Sequence, residues 1–535
     1  MTLVWRFARV AIPLGFLAVF FAWPLGAIFS RSLRAGAIGE VLRTGAYRHV
    51  LWFTFWQAVV STALTLAVGL PAAYVIARYQ FPGRRYFFAF VTVPFVLPTV
   101  VVATAFLALL RPGGPLAFLH WQRGVIPLLA AHVFFNLAVV IRTVGGFWVN
   151  IDPRREEAAR MLGASRARAF RSVTLPLLAP SIVAAAVIVF LFTFTSFGVA
   201  LLLADPTHAT IEVEIYRQSF ELFDLHVAAA LALVQIVAVL AVVVSLSWIQ
   251  ERRALPQRLV AAADTARRPR GRERLVVAGV LGVVALYLGG PLLVLVERSL
   301  RVGGHWSLDY YRALGSSAST TTLFVSPWTA LRNSIVFAVI ATAIALVIGG
   351  LASFVIAARP GRGTRSIDTL LMLPLGTSAV TVGFGFLLAF QDRPLDLATS
   401  PVLVPLAQAI VAIPFVIRAV VPALRSIDPR LRDAASMLGA SPRRVWREVD
   451  LPIVGGAFAV AAGFCAAVSL GEFGATLFVA RPSSPTVPIA IQRFLARPGD
   501  VNAGQSLAMA VILMALTLAV ILAIERPRVG RFGAL

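Results

Sequence analysis

IDPRREEAARMLGASRARAFRSVTLP, residues 151–176, returns 276 residues later as IDPRLRDAASMLGASPRRVWREVDLP, residues 427–452. The same displacement aligns Arg142 with Arg418, Ser196-Phe197-Gly198 with Glu472-Phe473-Gly474, and Thr210 with Thr486. Upstream, Ala73-Tyr74-Val75-Ile76-Ala77 matches Ser353-Phe354-Val355-Ile356-Ala357 at a displacement of 280. A repeat of this reach decides the architecture before any single motif does. The chain is a duplication that covers nearly its whole length.

What is duplicated is a set of apolar spans. Of the 535 residues, 59% are hydrophobic and only 13% charged, with a mean hydropathy of +0.85. Soluble domains carry roughly 25% charged residues, so a soluble enzyme is excluded. A disordered chain is excluded too, because this much apolar surface forces collapse. About 20 apolar residues cross a bilayer core as a helix. Twelve runs satisfy that requirement, near 9–30, 50–77, 87–110, 125–148, 175–203, 226–249, 274–296, 333–358, 367–390, 400–424, 451–479 and 504–525. The first follows Arg6 and Arg9 but exceeds a signal-peptide apolar region and has no small-residue cleavage site, so it reads as an uncleaved anchor.

The net charge of +24 arises from 48 basic against 24 acidic residues, and every basic residue is arginine. A nucleic-acid binder displays such charge on a soluble face. Here the arginines lie between apolar runs, which argues for a bilayer and against nucleic acid as a partner. Short cytoplasmic loops hold the excess of arginine, and thirty-one of the 48 fall in the segments that are cytoplasmic if the N-terminus is inside. Both termini are therefore expected in the cytoplasm. Each half holds six spans, an even number, so the halves run parallel about an axis along the membrane normal. The expected division is a first half 1–250, an Arg-rich linker 251–273, and a second half 274–535. Cys465 is the only cysteine, which leaves no intramolecular disulfide or thiol cluster.

The repeated stretch reads as a helix-turn-helix between spans. Glu157-Ala158-Ala159 and Asp433-Ala434-Ala435 suit a short, closely packed helix. Gly163 and Gly439 can take the left-handed conformation that ends it. The segment 164–172 then forms a second short helix, and Pro176 sets the first turn of the next span. The acid-Ala-Ala triplet, the glycine four residues on and the closing Leu-Pro resemble the EAA loop of type I ABC importer permeases, whose fold is the all-α, MetI-like membrane fold. Two copies, at 152–176 and 428–452, fit two parallel six-helix repeats of that fold, and Asp433 departs from the usual Glu.

The resemblance implies several things. The chain would be the transport subunit of an importer in the bacterial cytoplasmic membrane. Two ATPase subunits would dock on Glu157, Ala158, Ala159 and Gly163 and on Asp433, Ala434, Ala435 and Gly439. An extracytoplasmic binding protein would deliver the substrate. The chain has no G-x-x-x-x-G-K-[ST] phosphate loop, so it is expected to be no enzyme, with no catalytic residue, cofactor or metal site of its own. HVLWFTFWQAVVSTALTLAVGLPAAYVIARYQFPGR at 49–84, LLAAHVFFNL at 128–137 and HATIEVEIYRQ at 208–218 resemble the thiamine branch of these permeases, with ferric iron as the alternative substrate. A twelve-span secondary transporter is the alternative from another class. The loop 77–85 lacks the Asp of that class, and that reading leaves the paired loops unexplained.

Four residues are candidates for the translocation pathway: Ser196, Phe197, Glu472 and Phe473. Acids inside spans are costly and mark pathways or helix contacts, and Glu472 serves either role equally well. His132 has no ligand-spaced partner and reads as an interhelical hydrogen-bonding residue. Arg142 and Arg418 read as snorkelling anchors. Trp52, Trp56 and Phe197 offer aromatic faces for a cation. Glu212 and Glu214 fall in an external stretch and read as a solvated loop, with a binding-protein contact as the second possibility.

Overall fold

The computed structural model describes residues 3–33, 36–253, 266–315, 323–358, 362–391, 397 and 400–529. Residues 254–265 of the expected linker lie outside them. The principal helices of the first half are α1 Val10–Ser32, α2 Gly45–Arg78, α3 Arg84–Val96, α4 Thr99–Leu110, α5 Val125–Trp148, α6 Arg154–Met161, α7 Arg166–Phe194, α8 Gly198–Leu203, α9 Ile211–Phe220 and α10 Leu225–Arg253. Those of the second half are α11 Arg272–Ser299, α12 Pro327–Ala358, α13 Arg362–Met372, α14 Ala379–Ala389, α15 Leu403–Arg425, α16 Pro429–Met437, α17 Arg443–Gly471, α18 Gly474–Val479, α19 Val487–Leu495 and α20 Asp500–Val529. Each helix has its counterpart ten numbers on.

Among the described residues, ten helices are long and apolar enough to cross a membrane singly, and two bent pairs bring the count up to twelve. The bent pairs correct the sequence reading. The runs 87–110 and 367–390 look like single spans, but α3 and α4 meet at 100°, and 366–376 meets α14 at 97°. Pro98 stands at the first break, where it has no N–H to offer a continuing ladder. At the second, Ser378 caps α14 by accepting a hydrogen bond from the Thr381 N–H at 3.0 Å. The runs 175–203 and 451–479 break likewise, at 195–197 and 472–473.

The duplication is visible atom by atom. The Ile211 N–H donates to the Thr54 hydroxyl at 2.9 Å, and the equivalent Val487 N–H donates to Ser334 at 2.8 Å. A Cβ at Gly69 would stand 2.6 Å from Val140 Cγ1, and one at Gly349 would stand 2.7 Å from Val416 Cβ. These are the points where α2 crosses α5 and α12 crosses α15, and only glycine admits so close an approach.

The halves also exchange their first helices. α1 packs against α14, and α11 packs against α4. The Tyr287 hydroxyl of α11 donates to the Ala130 carbonyl of α5 at 2.6 Å. Each half is thus held by a helix belonging to the other, and one continuous buried core runs through both.

Candidate functional site

Between α5 and α7 the first repeated loop takes the glycine turn that its sequence suggests. Gly163 sits at φ +88° and Gly439 at φ +79°. In each copy the preceding helix ends there and exposes two large apolar side chains, Met161 and Leu162 at 88% and 90%, Met437 and Leu438 both at 88%. Glu157, Ala158, Asp433, Ala434 and both glycines are exposed, while Ala159 and Ala435 turn partly inward. Paired apolar side chains are thus held out at symmetric points of the two loops.

The second short helix is a correction. Arg166–Ala169 does not stop before the membrane but runs through a π-helical turn, Phe170–Thr174, directly into the span. The other copy does the same at Trp446–Asp450. The wider turn lies just before Pro176 and Pro452, and a π turn is one way a helix absorbs a residue that cannot donate to its own ladder. Loop and span are therefore joined by one continuous helix in each copy.

Each loop is tied to its span at the same place by opposite chemistry. The Thr174 hydroxyl donates to Glu156 at 2.9 Å, whereas Arg432 donates to Asp450 at 2.7 Å. Positions 156 and 174 correspond to 432 and 450.

The four helix breaks meet around a cavity of about 320 Å³. Residues 97–99 and 195–198 line it from the first half, 379–380 and 471–474 from the second. All four pathway candidates, Ser196, Phe197, Glu472 and Phe473, are on its wall. Phe197 and Phe473, symmetry equivalents, stack with centroids 5.4 Å apart at 23°. The pseudo-two-fold axis therefore passes between the two rings. Phe95, Phe135, Phe192, Phe415 and Phe464 add further rings.

The polar groups differ between halves. Glu472 turns its carboxylate onto the start of α18, accepting from the Ala475 N–H at 2.8 Å, the Thr476 N–H at 2.8 Å and the Thr476 hydroxyl at 2.5 Å. Glu472 thus lines the cavity while capping a helix. Glu472→Gln is expected to lose about 1 kcal/mol of cap energy, read as a lowered Tm in detergent, and to slow transport while leaving binding-protein affinity unchanged. Unchanged Tm and transport would reject both roles.

In the first half Ser196 Oγ lies 2.9 Å from His132 Nε2, and His132 Nδ1 lies 3.2 Å from Ser61 Oγ. His132 is the interhelical hydrogen-bonding residue the sequence suggests. Arg142 and Arg418 are exposed, Arg142 donating to Thr92 at 3.0 Å. Trp52 and Trp56 face outward and away from the cavity. Cys465 is buried on α17.

Glu212 and Glu214 correct the sequence reading most sharply. Both are buried, and Glu212 reaches the cavity wall. Their counterparts Pro488 and Ala490, in an apolar stretch VPIAI, carried the signal that this segment is interior.

Residues 66–254 match the family model for the inner membrane component of binding-protein-dependent transport systems. The probable ABC transporter permease protein y4fN of Sinorhizobium fredii is 26% identical over 531 residues, 92% of this chain and 90% of that one. The thiamine transport system permease protein ThiP of Brucella abortus is 26% identical over 525 residues, 95% and 93% of the two chains. The ferric transport system permease protein FbpB of Actinobacillus pleuropneumoniae is 23% identical over 415 residues, 74% and 59%. Among solved structures, a bacterial ABC transporter that imports alginate is 18% identical, with a TM-score of 0.40 over 46% of this chain and 95% of that one.

Proposed function

We propose that this chain, an ABC importer permease of the binding-protein-dependent family, forms the whole translocation pathway of a thiamine importer. The observation that carries the pathway is the cavity where four helix breaks meet on the pseudo-two-fold axis, closed by Phe197 against Phe473. Any solute that crosses along the axis must part those rings. The substrate reading is supported by relatives named as thiamine permeases that align over nearly the whole chain. It is also supported by the wall itself, whose phenylalanine faces and carboxylates suit a flat organic cation better than a shell of oxygen donors.

The chain divides into halves 1–250 and 274–535 joined by the linker 251–273, with both termini in the cytoplasm. Two ATPase subunits dock on the exposed loops through Glu157, Ala158, Ala159 and Gly163 and through Asp433, Ala434, Ala435 and Gly439. Their closure on ATP draws the loops together. The continuous helices α7 and α17 then transmit that motion to the breaks at 195–197 and 472–473. A binding protein delivers thiamine to the opposite face.

The test is uptake by proteoliposomes holding this chain with its ATPase and binding protein. ATP-dependent accumulation of thiamine, and none of chelated ferric iron, is the expected result. Accumulation of iron alone would overturn the substrate and leave the coupling loops untouched.

A further inference from the structure

Two carboxylates reach the central cavity, and they differ in what they have left to offer. Both oxygens of Glu472 are taken by the first turn of α18, where the helix N-terminus already compensates negative charge. Glu212, on α9, is fully buried. Its Oε1 accepts from the Gln235 side-chain amide, while its Oε2 has no hydrogen-bond partner. The Ser378 hydroxyl of the second half is the other hydrogen-bonding neighbour of this carboxylate, and it also meets the Thr381 hydroxyl at 3.0 Å. Glu212 thus has an amide and a hydroxyl for neighbours and a buried, unpartnered oxygen, and the residue itself borders the cavity.

A buried polar atom without a partner is costly, and ionisable groups at membrane depth mark ion and substrate paths. The rest of the wall indicates what would repay that cost. The rings of Phe197 and Phe473 lie on the axis, and His132 and Asn136 add polar edges. The cavity volume falls at the small end of the range for small-molecule sites.

We propose that Glu212 is the counter-charge of a transient binding site in this cavity for a flat aromatic cation, which stacks against the phenylalanine rings while its charge is drawn toward the Glu212 carboxylate bordering the cavity. The site is intrinsic to the permease, so selection for positive charge is exercised twice, once by the binding protein and once here. The inference rests on the importer reading, and it names the charge requirement of the pathway.

The experiment is calorimetric titration of the purified complex of this chain with its ATPase, without binding protein. One ligand is thiamine, and the other is its neutral analogue with carbon in place of the thiazolium nitrogen. The wild type is expected to bind thiamine at least tenfold more tightly than the neutral analogue. Glu212→Gln is expected to remove that preference by weakening thiamine tenfold or more while leaving the neutral analogue unchanged, and Glu212→Asp to restore part of it. Equal affinity of the wild type for the two ligands overturns the proposal even if the variants fail to fold. A Glu212→Gln complex that keeps the tenfold preference, or weakens both ligands equally, overturns it as well. Thiamine uptake by the wild-type proteoliposomes is scored separately, so a wrong substrate and a wrong residue give different results.

Discussion

Replacing Gly163 and Gly439 together with valine is expected to abolish ATP-driven uptake while leaving the protein inserted and folded. Both glycines occupy the left-handed region, at φ +88° and +79°, which costs an L-residue roughly 1–2 kcal/mol and a β-branched side chain more. Neither position has an atom within 4 Å of an added Cβ, so the penalty is conformational and local. The loop escapes it by rearranging, and Met161, Leu162, Met437 and Leu438 then leave the positions in which they are held out. Uptake should fall by at least tenfold, and ATPase activity should no longer respond to the loaded binding protein. Each single variant should retain part of the activity. Normal uptake by the double variant would remove these loops from the coupling path.

The second large effect is on stability. Gly69→Val and Gly349→Val place a Cβ 2.6 Å and 2.7 Å from Val140 and Val416 respectively, inside hard contact. Overpacking of this kind costs about 1–3 kcal/mol. The neighbour is a β-branched side chain with little rotamer freedom in a helix, so the helices themselves must part. Folded yield should drop sharply for either variant, with a lower Tm for what remains. The crossing is checked by coupling: Val140→Gly, which removes both the Cγ1 at 2.6 Å and the Cβ at 2.8 Å, should lower Tm less in the Gly69→Ala background than it does alone. Absence of coupling between the two positions would contradict the helix crossing described here.

The parts of the fold that were readable in the sequence are those governed by length, charge and repetition. Hydropathy finds a span because every lipid-facing residue contributes to it, and the 276-residue displacement is a comparison of the chain with itself. The left-handed Gly163 and Gly439 were readable because a glycine after a short amphipathic helix has a specific stereochemical use. The breaks at Pro98 and Ser378 were not, since hydropathy counts apolar residues without regard to direction, and a helix bent by about 100° scores like a straight one. The π turns at 170–174 and 446–450 were hidden for a related reason. The proline that signals a helix start also signals the distortion that lets a helix pass through it. Glu212 was misread because an acid flanked by Thr210 and Glu214 looks solvated when its own copy is read alone, whereas Pro488 and Ala490 in the other copy mark the place as interior.

The counterpart of Glu212 is Pro488, and the counterpart of Glu472 is Ser196. Two identical subunits related by a true dyad have no such liberty. Any carboxylate at the mouth of a shared chamber would face its own image, and the two would repel across a few rings. Covalent fusion lifts that constraint. It fixes one copy of each half per molecule and lets each wall drift in chemistry on its own, so an acid can stand on one wall without its image on the other. On this view the tether between the halves is more than a convenience of assembly. It is what permits a symmetric machine to keep an asymmetric interior.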